Sequence, residues 1–162
     1  MPFFHTHPPS PSVLDLADSA LRPLDSVGDL RLAAPLMREL RPQLDGEADL
    51  AARVQRQRLQ GYQLLGAFEA DASLAALAGY RLQENLVYGR FLYVDDLVTA
   101  PARRGAGWGA RLLRALERVA RAEGCSRLVL DTGLANTRAQ RFYLRAGLQT
   151  GALRFHKLLD GI

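Results

Sequence analysis

In the stretch PARRGAGWGARLL, Pro101 to Leu113, an arginine pair and three glycines stand directly before a run whose apolar residues recur as on a helix. The start of a helix exposes backbone N–H groups that have no intrahelical partner, and the aligned peptide dipoles make that end partly positive. Gly105, Gly107 and Gly109 permit unusual dihedrals and carry no side chain to keep a bulky phosphate from those amides. Arg104 can add charge-assisted hydrogen bonds. The stretch therefore reads as an anion site; the plainer alternative is a flexible loop ahead of an ordinary helix. A few residues upstream, YVDDLVT holds the acidic pair Asp95 and Asp96. Such carboxylates can take a proton from an ammonium group or attract a cation, or they can be a strand-edge feature that binds nothing. Successive strand residues face opposite sides, so only one of the two is expected to point into a given cleft. Asp96 is favoured, with Asp95 and Glu84 behind it.

Two nucleotide motifs fit poorly. The Walker pattern needs Lys-Ser/Thr after its last glycine, whereas Gly109 is followed by Ala110 and Arg111. The dinucleotide fingerprint G-x-G-x-x-G has Ala110 or Leu112 at its third position, depending on the starting glycine. Alanine is tolerated there in some proteins, so spacing alone leaves that motif open. The preceding strand lies late in a meander, and Asp131 is the only acidic residue that could end a later strand at about the right distance.

The elements that must position these residues follow from periodicity. ALRPLD reads as a short strand, VGDLRLAAPLMRELRP as a helix ending by Pro42, and Glu47 to Leu59 as a second helix closed by Gly61. YQLLGAFEA, SLAALAGYRLQEN and GRFLYVDDLVT follow as three strands, and the short spacers DAS and NLVYG favour an antiparallel meander. Leu112, Leu113, Leu116, Val119 and Ala120 form one face of a helix from Gly107 to Gly124. SRLVLDT is then a buried strand, and NTRAQRFYLRAG a helix with Asn136 as N-cap and Gly147 at its end. ALRFHKLL is expected as a last strand. The order is mixed α/β, with antiparallel strands first and a strand, helix, strand crossover near the centre.

Composition bounds the function. The chain has 162 residues, 48% of them hydrophobic, enough for one domain with a proper core. Residues 1–18 are expected as a loose tail rich in proline and serine, and 19–162 as a single domain. No apolar run approaches the ~20 residues of a membrane span, and the start lacks the pattern of a secretory signal. A cytoplasmic location is expected, with no membrane partner. The single Cys125 cannot make an internal disulfide and has no neighbours at metal-ligand spacing, so no metal is expected and packing at a strand edge is its expected role. The net charge of +4 invites a nucleic-acid reading. Arg111, Arg114, Arg118 and Arg121, however, recur opposite an apolar helix face and alternate with Glu117 and Glu123, the pattern of a solvated face. No nucleic-acid partner is expected; a mild positive excess also suits a small anionic ligand. His5 and His7 fall in the tail, and His156 alternates with Phe155 on the last expected strand.

Arg104-x-x-Gly107-x-Gly109, preceded by YVDDLVT and followed by LVLDTGLANTRAQRFYLRAG, resembles the acyl-CoA core of the GNAT superfamily of N-acetyltransferases. The likeness runs from about Leu21 to Leu159 in element order and is strongest from Tyr93 to Gly147. It implies an α/β fold of the α+β type, with a mixed, mostly antiparallel central sheet flanked by helices and a strand-helix-strand acyl-CoA core. It implies acetyl-CoA as acyl donor. The amides of Gly105, Ala106, Gly107, Trp108, Gly109 and Ala110, with Arg104, would hold its pyrophosphate. Leu97, Val98 and Thr99 would run beside the pantetheine arm, with Asn136 reaching it from the next helix. By the same likeness Tyr143, seven residues after Asn136, would be the general acid for the departing thiolate; a surface aromatic is the other reading. Asp96 and Asp95 would lie beside the thioester as candidate bases, and Phe142 in the core. The implied reaction is direct transfer to a primary amine in a ternary complex. The alternative is a catalytically silent acyl-CoA-binding module, and a homodimer is frequent in the family. AQRFYLRAGLQTGALRFHKLL resembles the branch that includes aminoalkylphosphonate and some aminoglycoside acetylating enzymes, while YVDDL is similar to the acidic pair of polyamine acetyltransferases. A small primary amine is the expected acceptor.

Overall fold

The structure, a computed structural model, describes residues 18–159. They fall into two compact units that divide between Leu130 and Asp131.

The first unit is built on a sheet of five strands in sequential order: β1 (Leu21–Pro23), β2 (Gln63–Phe68), β3 (Leu74–Asn85), β4 (Gly89–Thr99) and β5 (Leu128–Leu130). The first four pair antiparallel, β2 to β4 through the short spacers that favour it, and β4 pairs parallel with β5. Helices α1 (Val27–Leu40) and α2 (Glu47–Arg58) precede the meander, and α3 (Trp108–Ala122) is the crossover between the parallel strands. The start of α1 is closed by local chemistry. The Asp29 amide donates to Ser26 Oγ and the Ser26 amide to Asp29 Oδ2, both at 3.0 Å.

Each face of the sheet is covered by helix. On one face Leu65, Ala67, Ala76, Ala78, Tyr80, Leu92 and Val94 pack against Leu112, Ala115, Leu116, Val119 and Ala120 of α3. On the other, Leu64, Leu77 and Val98 meet Leu30, Ala33, Ala34 and Met37 of α1 and Leu50 and Val54 of α2. Alternation along the strands assigns each residue its side, apart from a shift at Ala67/Phe68 in the β2–β3 ladder and one in β4. In the β3–β4 ladder Gly79 lies opposite Asp96 and Tyr80 opposite Val94, so Asp95 is an extra residue in β4. The bulge shifts the parity of the strand. Leu92 and Val94 face α3 before it, whereas Leu97 does so after it and Val98 faces α1 and α2.

The second unit contains α4 (Thr137–Arg145). Asn136 caps it as expected, its side-chain oxygen accepting the Ala139 amide at 3.1 Å. Gly147, at φ +90, follows the C-cap Ala146 in the left-handed conformation that glycine adopts without a Cβ penalty. The expected last strand at ALRFHKLL is not formed, and residues 151–159 carry no strand assignment. Its only signal was the alternation of Leu153 and Phe155 with Arg154 and His156, which describes two faces but supplies no ladder partner.

Candidate active site

The connection from β4 to α3 passes through a short 3-10 turn, Pro101–Arg103, and then the glycines. Gly105 and Gly107 have φ of +82 and +85, where a side chain would strain the backbone. A Cβ at either position would meet nothing within 4 Å, so conformation and not space demands glycine. Gly109 is already the second residue of α3. No side chain caps this helix. The first bond into it is donated by the Arg111 amide to the Gly107 carbonyl at 3.0 Å; the amides from Gly105 to Ala110 donate to no group among the described residues. Residues 104–107 are exposed.

The nearby arginines divide into used and unused. Arg103 Nε donates to Glu69 Oε2 at 2.6 Å. Arg111 donates from Nε and Nη2 to the two oxygens of Asp18 at 2.9 and 2.6 Å, and its guanidinium lies 4.6 Å from the Trp108 ring centroid. These bonds hold the Asp18 carboxyl below its usual range, against the opposing effect of burial. Asp18 ends the stretch expected to be a loose tail. The Arg104 amide donates to the Pro101 carbonyl, but its guanidinium has no hydrogen-bond or ion-pair partner among the described residues.

The parallel ladder between β4 and β5 runs only from Leu92↔Leu128 to Val94↔Leu130. Leu97, Val98 and Thr99 pair with Ala78, Leu77 and Ala76 of β3 on one edge, and on the other have no strand neighbour among the described residues. An open edge of this kind offers backbone donors and acceptors to an extended ligand.

Asp95 and Asp96 share one polar network on the α1–α2 side. Arg41, just past α1, donates from Nε to Asp96 Oδ1 at 2.9 Å and from Nη2 to the Asp95 carbonyl at 2.8 Å. Tyr62 Oη donates to Asp96 Oδ2 at 2.7 Å. Arg81 Nε donates to Asp95 Oδ2 at 3.0 Å, with the guanidinium 5.5 Å from the Tyr62 ring centroid and Nη2 on Gln57 Oε1 at 2.9 Å. The expectation that only one of the pair could enter a given cleft is corrected: the bulge at Asp95 removes it from alternation and turns both side chains the same way. Burial pushes the Asp95 carboxyl up, with Arg81 opposing it. Burial, and then the charge of Asp96, raises the Tyr62 phenol well above its ordinary value. Glu84 lies exposed near the hairpin end, opposite Arg90.

Sequence reasoning missed Arg41, Tyr62 and Arg81. The one signal available was Gly79 in the middle of a strand, which often marks close approach of another group. A Cβ there would collide with Tyr62 Oη, so the ring occupies the place of the missing side chain.

In the second unit Asn136 and Tyr143 belong to the same helix. The Tyr143 ring centroid is 5.3 Å from that of Phe142, and burial raises the phenol, which keeps it protonated at neutral pH. His156 lies in the segment without strand pairing, and His5 and His7 lie outside the described residues. Cys125 is half-buried against the α3-side core, and burial raises its thiol, a direction that disfavours the nucleophilic thiolate. Among the described residues no group of three or more His, Cys, Asp or Glu could hold a metal ion, and no helix is long and apolar enough to cross a membrane.

Comparison with known proteins gives a consistent relationship. The sequence model of the acetyltransferase (GNAT) family matches residues 31–148. The chain is 33% identical over 109 residues to the uncharacterized N-acetyltransferase YhdJ of Bacillus subtilis, covering 67% of this chain and 76% of that one. It is 32% identical over 81 residues to the aminoglycoside N(6')-acetyltransferase type 1 of Serratia marcescens, covering 48% and 56%. Among solved structures, AAC(6')-Iy in complex with the bisubstrate analog CoA-S-monomethyl-acetylneamine superposes with a TM-score of 0.73 at 20% identity, over 86% of this chain and 97% of that one.

Proposed function

The chain belongs to the acetyltransferase (GNAT) family, and from that premise we propose that it moves the acetyl group of acetyl-CoA to a primary amine on a small molecule, by direct transfer in a ternary complex. The observation that carries the reading is the start of α3, with two glycines at positive φ, no capping side chain and, in front of it, an Arg104 guanidinium with no partner among the described residues. That arrangement suits the pyrophosphate of the donor, held by the amides from Gly105 to Ala110. The open edge of Leu97, Val98 and Thr99 suits the pantetheine amides, and a backbone N–H there would polarise the thioester carbonyl. Asn136 is assigned a contact with the same arm.

In the chemical step the amine nitrogen attacks the thioester carbon, forming the C–N bond, and the C–S bond then breaks. The thiolate takes a proton from the Tyr143 hydroxyl. The amine proton passes to Asp96, directly or through water, with Asp95 behind it. An alkyl ammonium loses its proton near ~10.4, so the share of reactive neutral amine grows with pH below that value. The rate is therefore expected to climb with pH between 6 and 9.

The same ion pairs favour one other reading, a silent acyl-CoA-binding module, because Asp95 and Asp96 are already satisfied within the protein. A thiol-release screen with acetyl-CoA across polyamines, aminoglycosides, aminophosphonates, amino acids and peptides separates the two. Turnover with a small amine supports the enzyme, and donor binding without turnover on any amine supports the module. Transfer to peptides alone would refute the small-molecule acceptor. Tyr143→Phe keeps the ring and deletes the proton, so turnover should fall ~10²-fold with donor binding unchanged. Turnover within about threefold of wild type would refute the assignment.

A further inference from the structure

Nothing in the transfer chemistry calls for Tyr62 or Arg41, yet the two close on the one irregular point of β4. A bulge interrupts ladder bonding locally and bends its strand, so contacts made at the bulge bear on where the residues after it lie. Here those contacts are specific. Arg41 grips both the Asp96 carboxylate and the Asp95 carbonyl, so it bonds the backbone of the extra residue and the side chain of the one after it. Tyr62 takes the second oxygen of Asp96. Its ring lies across Gly79, the ladder partner of Asp96, where any larger residue would displace it. Tyr62 is only 3% exposed. A phenylalanine would fill that space without burying a hydroxyl, which is costly unless hydrogen-bonded. The residues that follow the bulge, Leu97 to Thr99, are those with the open edge.

We propose that Tyr62 and Arg41 are positioning residues which, by holding the bulge through Asp96 and the Asp95 carbonyl, set the register at which the open edge of β4 meets acetyl-CoA. The inference rests on the donor placement proposed above. It makes Asp96 chiefly the anchor of that strand, and it predicts that the Tyr62 hydroxyl matters for the donor although Tyr62 itself never touches it.

The test is calorimetric titration of acetyl-CoA into the full chain as wild type, Tyr62→Phe, Asp96→Asn and the double variant, with denaturation curves for each and KM and kcat for any amine found in the screen. Tyr62→Phe should fold normally and raise both Kd and KM for acetyl-CoA about tenfold, the scale of one hydrogen bond to a charged group, while kcat changes less. The double variant should be no worse than the weaker single one, because the hydroxyl acts only through Asp96. A merely structural hydroxyl would lower stability and leave the donor Kd and KM alone; that result, or additive losses, overturns the proposal. Should Tyr62→Phe fail to fold, Asp96→Asn carries the test, since it must weaken the donor comparably, and an unchanged donor Kd in it overturns the proposal. Wild type that binds no acetyl-CoA overturns the donor placement and this inference together. Wild type that binds, with Tyr62→Phe indistinguishable from it, overturns the inference alone.

Discussion

The glycine entrance to α3 and the bulge of β4 treat their charges in opposite ways. At the entrance the Arg104 guanidinium has no partner among the described residues, and the amides from Gly105 to Ala110 donate to nothing there. At the bulge Arg41, Arg81 and Tyr62 all donate to the acidic pair or its backbone. Both regions looked chemically active as residue types. The difference teaches that unused hydrogen-bonding capacity, rather than charge itself, marks the place kept for a ligand, whereas a satisfied cluster marks architecture.

The contrast can be broken from either side. Closing the open side gives the largest effect: Gly107→Val puts a β-branched residue at φ +85, and titration should find acetyl-CoA binding lost. The fold should persist, because a Cβ at that position meets nothing. Opening the closed side comes next. Asp96→Ala leaves the Tyr62 hydroxyl without its acceptor and Arg41 with the Asp95 carbonyl alone, and denaturant unfolding should show a loss of about 2 kcal/mol. The same measurement on Arg104→Ala should show no loss of stability, but acetyl-CoA should bind about tenfold more weakly, through one missing charge-assisted contact. If Arg104→Ala were as destabilising as Asp96→Ala, the distinction between the regions would collapse.

The smallest effect lies away from both. Ser26→Ala removes half of the capping box of α1 and should cost about 1 kcal/mol. Burial opposes the ionised form of Asp29, yet the Ser26 amide and Arg22 outweigh it and hold the carboxyl down at about 2. A depressed folded value means that this contribution is complete above the ordinary carboxylate range and disappears as pH falls from about 4 towards 2. Stability should therefore fall between about pH 4 and 2 in wild type and Ser26→Ala alike, whereas Asp29→Asn should lose that step.

The helix starts and stops were legible in the sequence because their causes are local. The Gly107 entrance, the Asn136 cap and the Gly147 end each depend on residues within one turn. The meander was legible because its spacers are short. The polar network was not, since Tyr62 and Arg41 stand 34 and 55 residues from Asp96 and carry no shared pattern with it. The bulge defeated the parity argument for the acidic pair, because one extra residue reverses the side on which every later residue falls. At ALRFHKLL the signal misled in the other direction: alternation suggested a strand where no partner supplies a ladder.

Thermal unfolding of the wild-type chain with and without acetyl-CoA tests the central claim most directly, because it needs no acceptor and no variant. If the amides at the start of α3 and Arg104 form the donor site, ligand at ~100 times its dissociation constant should add about 2.7 kcal/mol to stability, seen as a clear rise in Tm. An unchanged Tm at millimolar acetyl-CoA and millimolar CoA would contradict it.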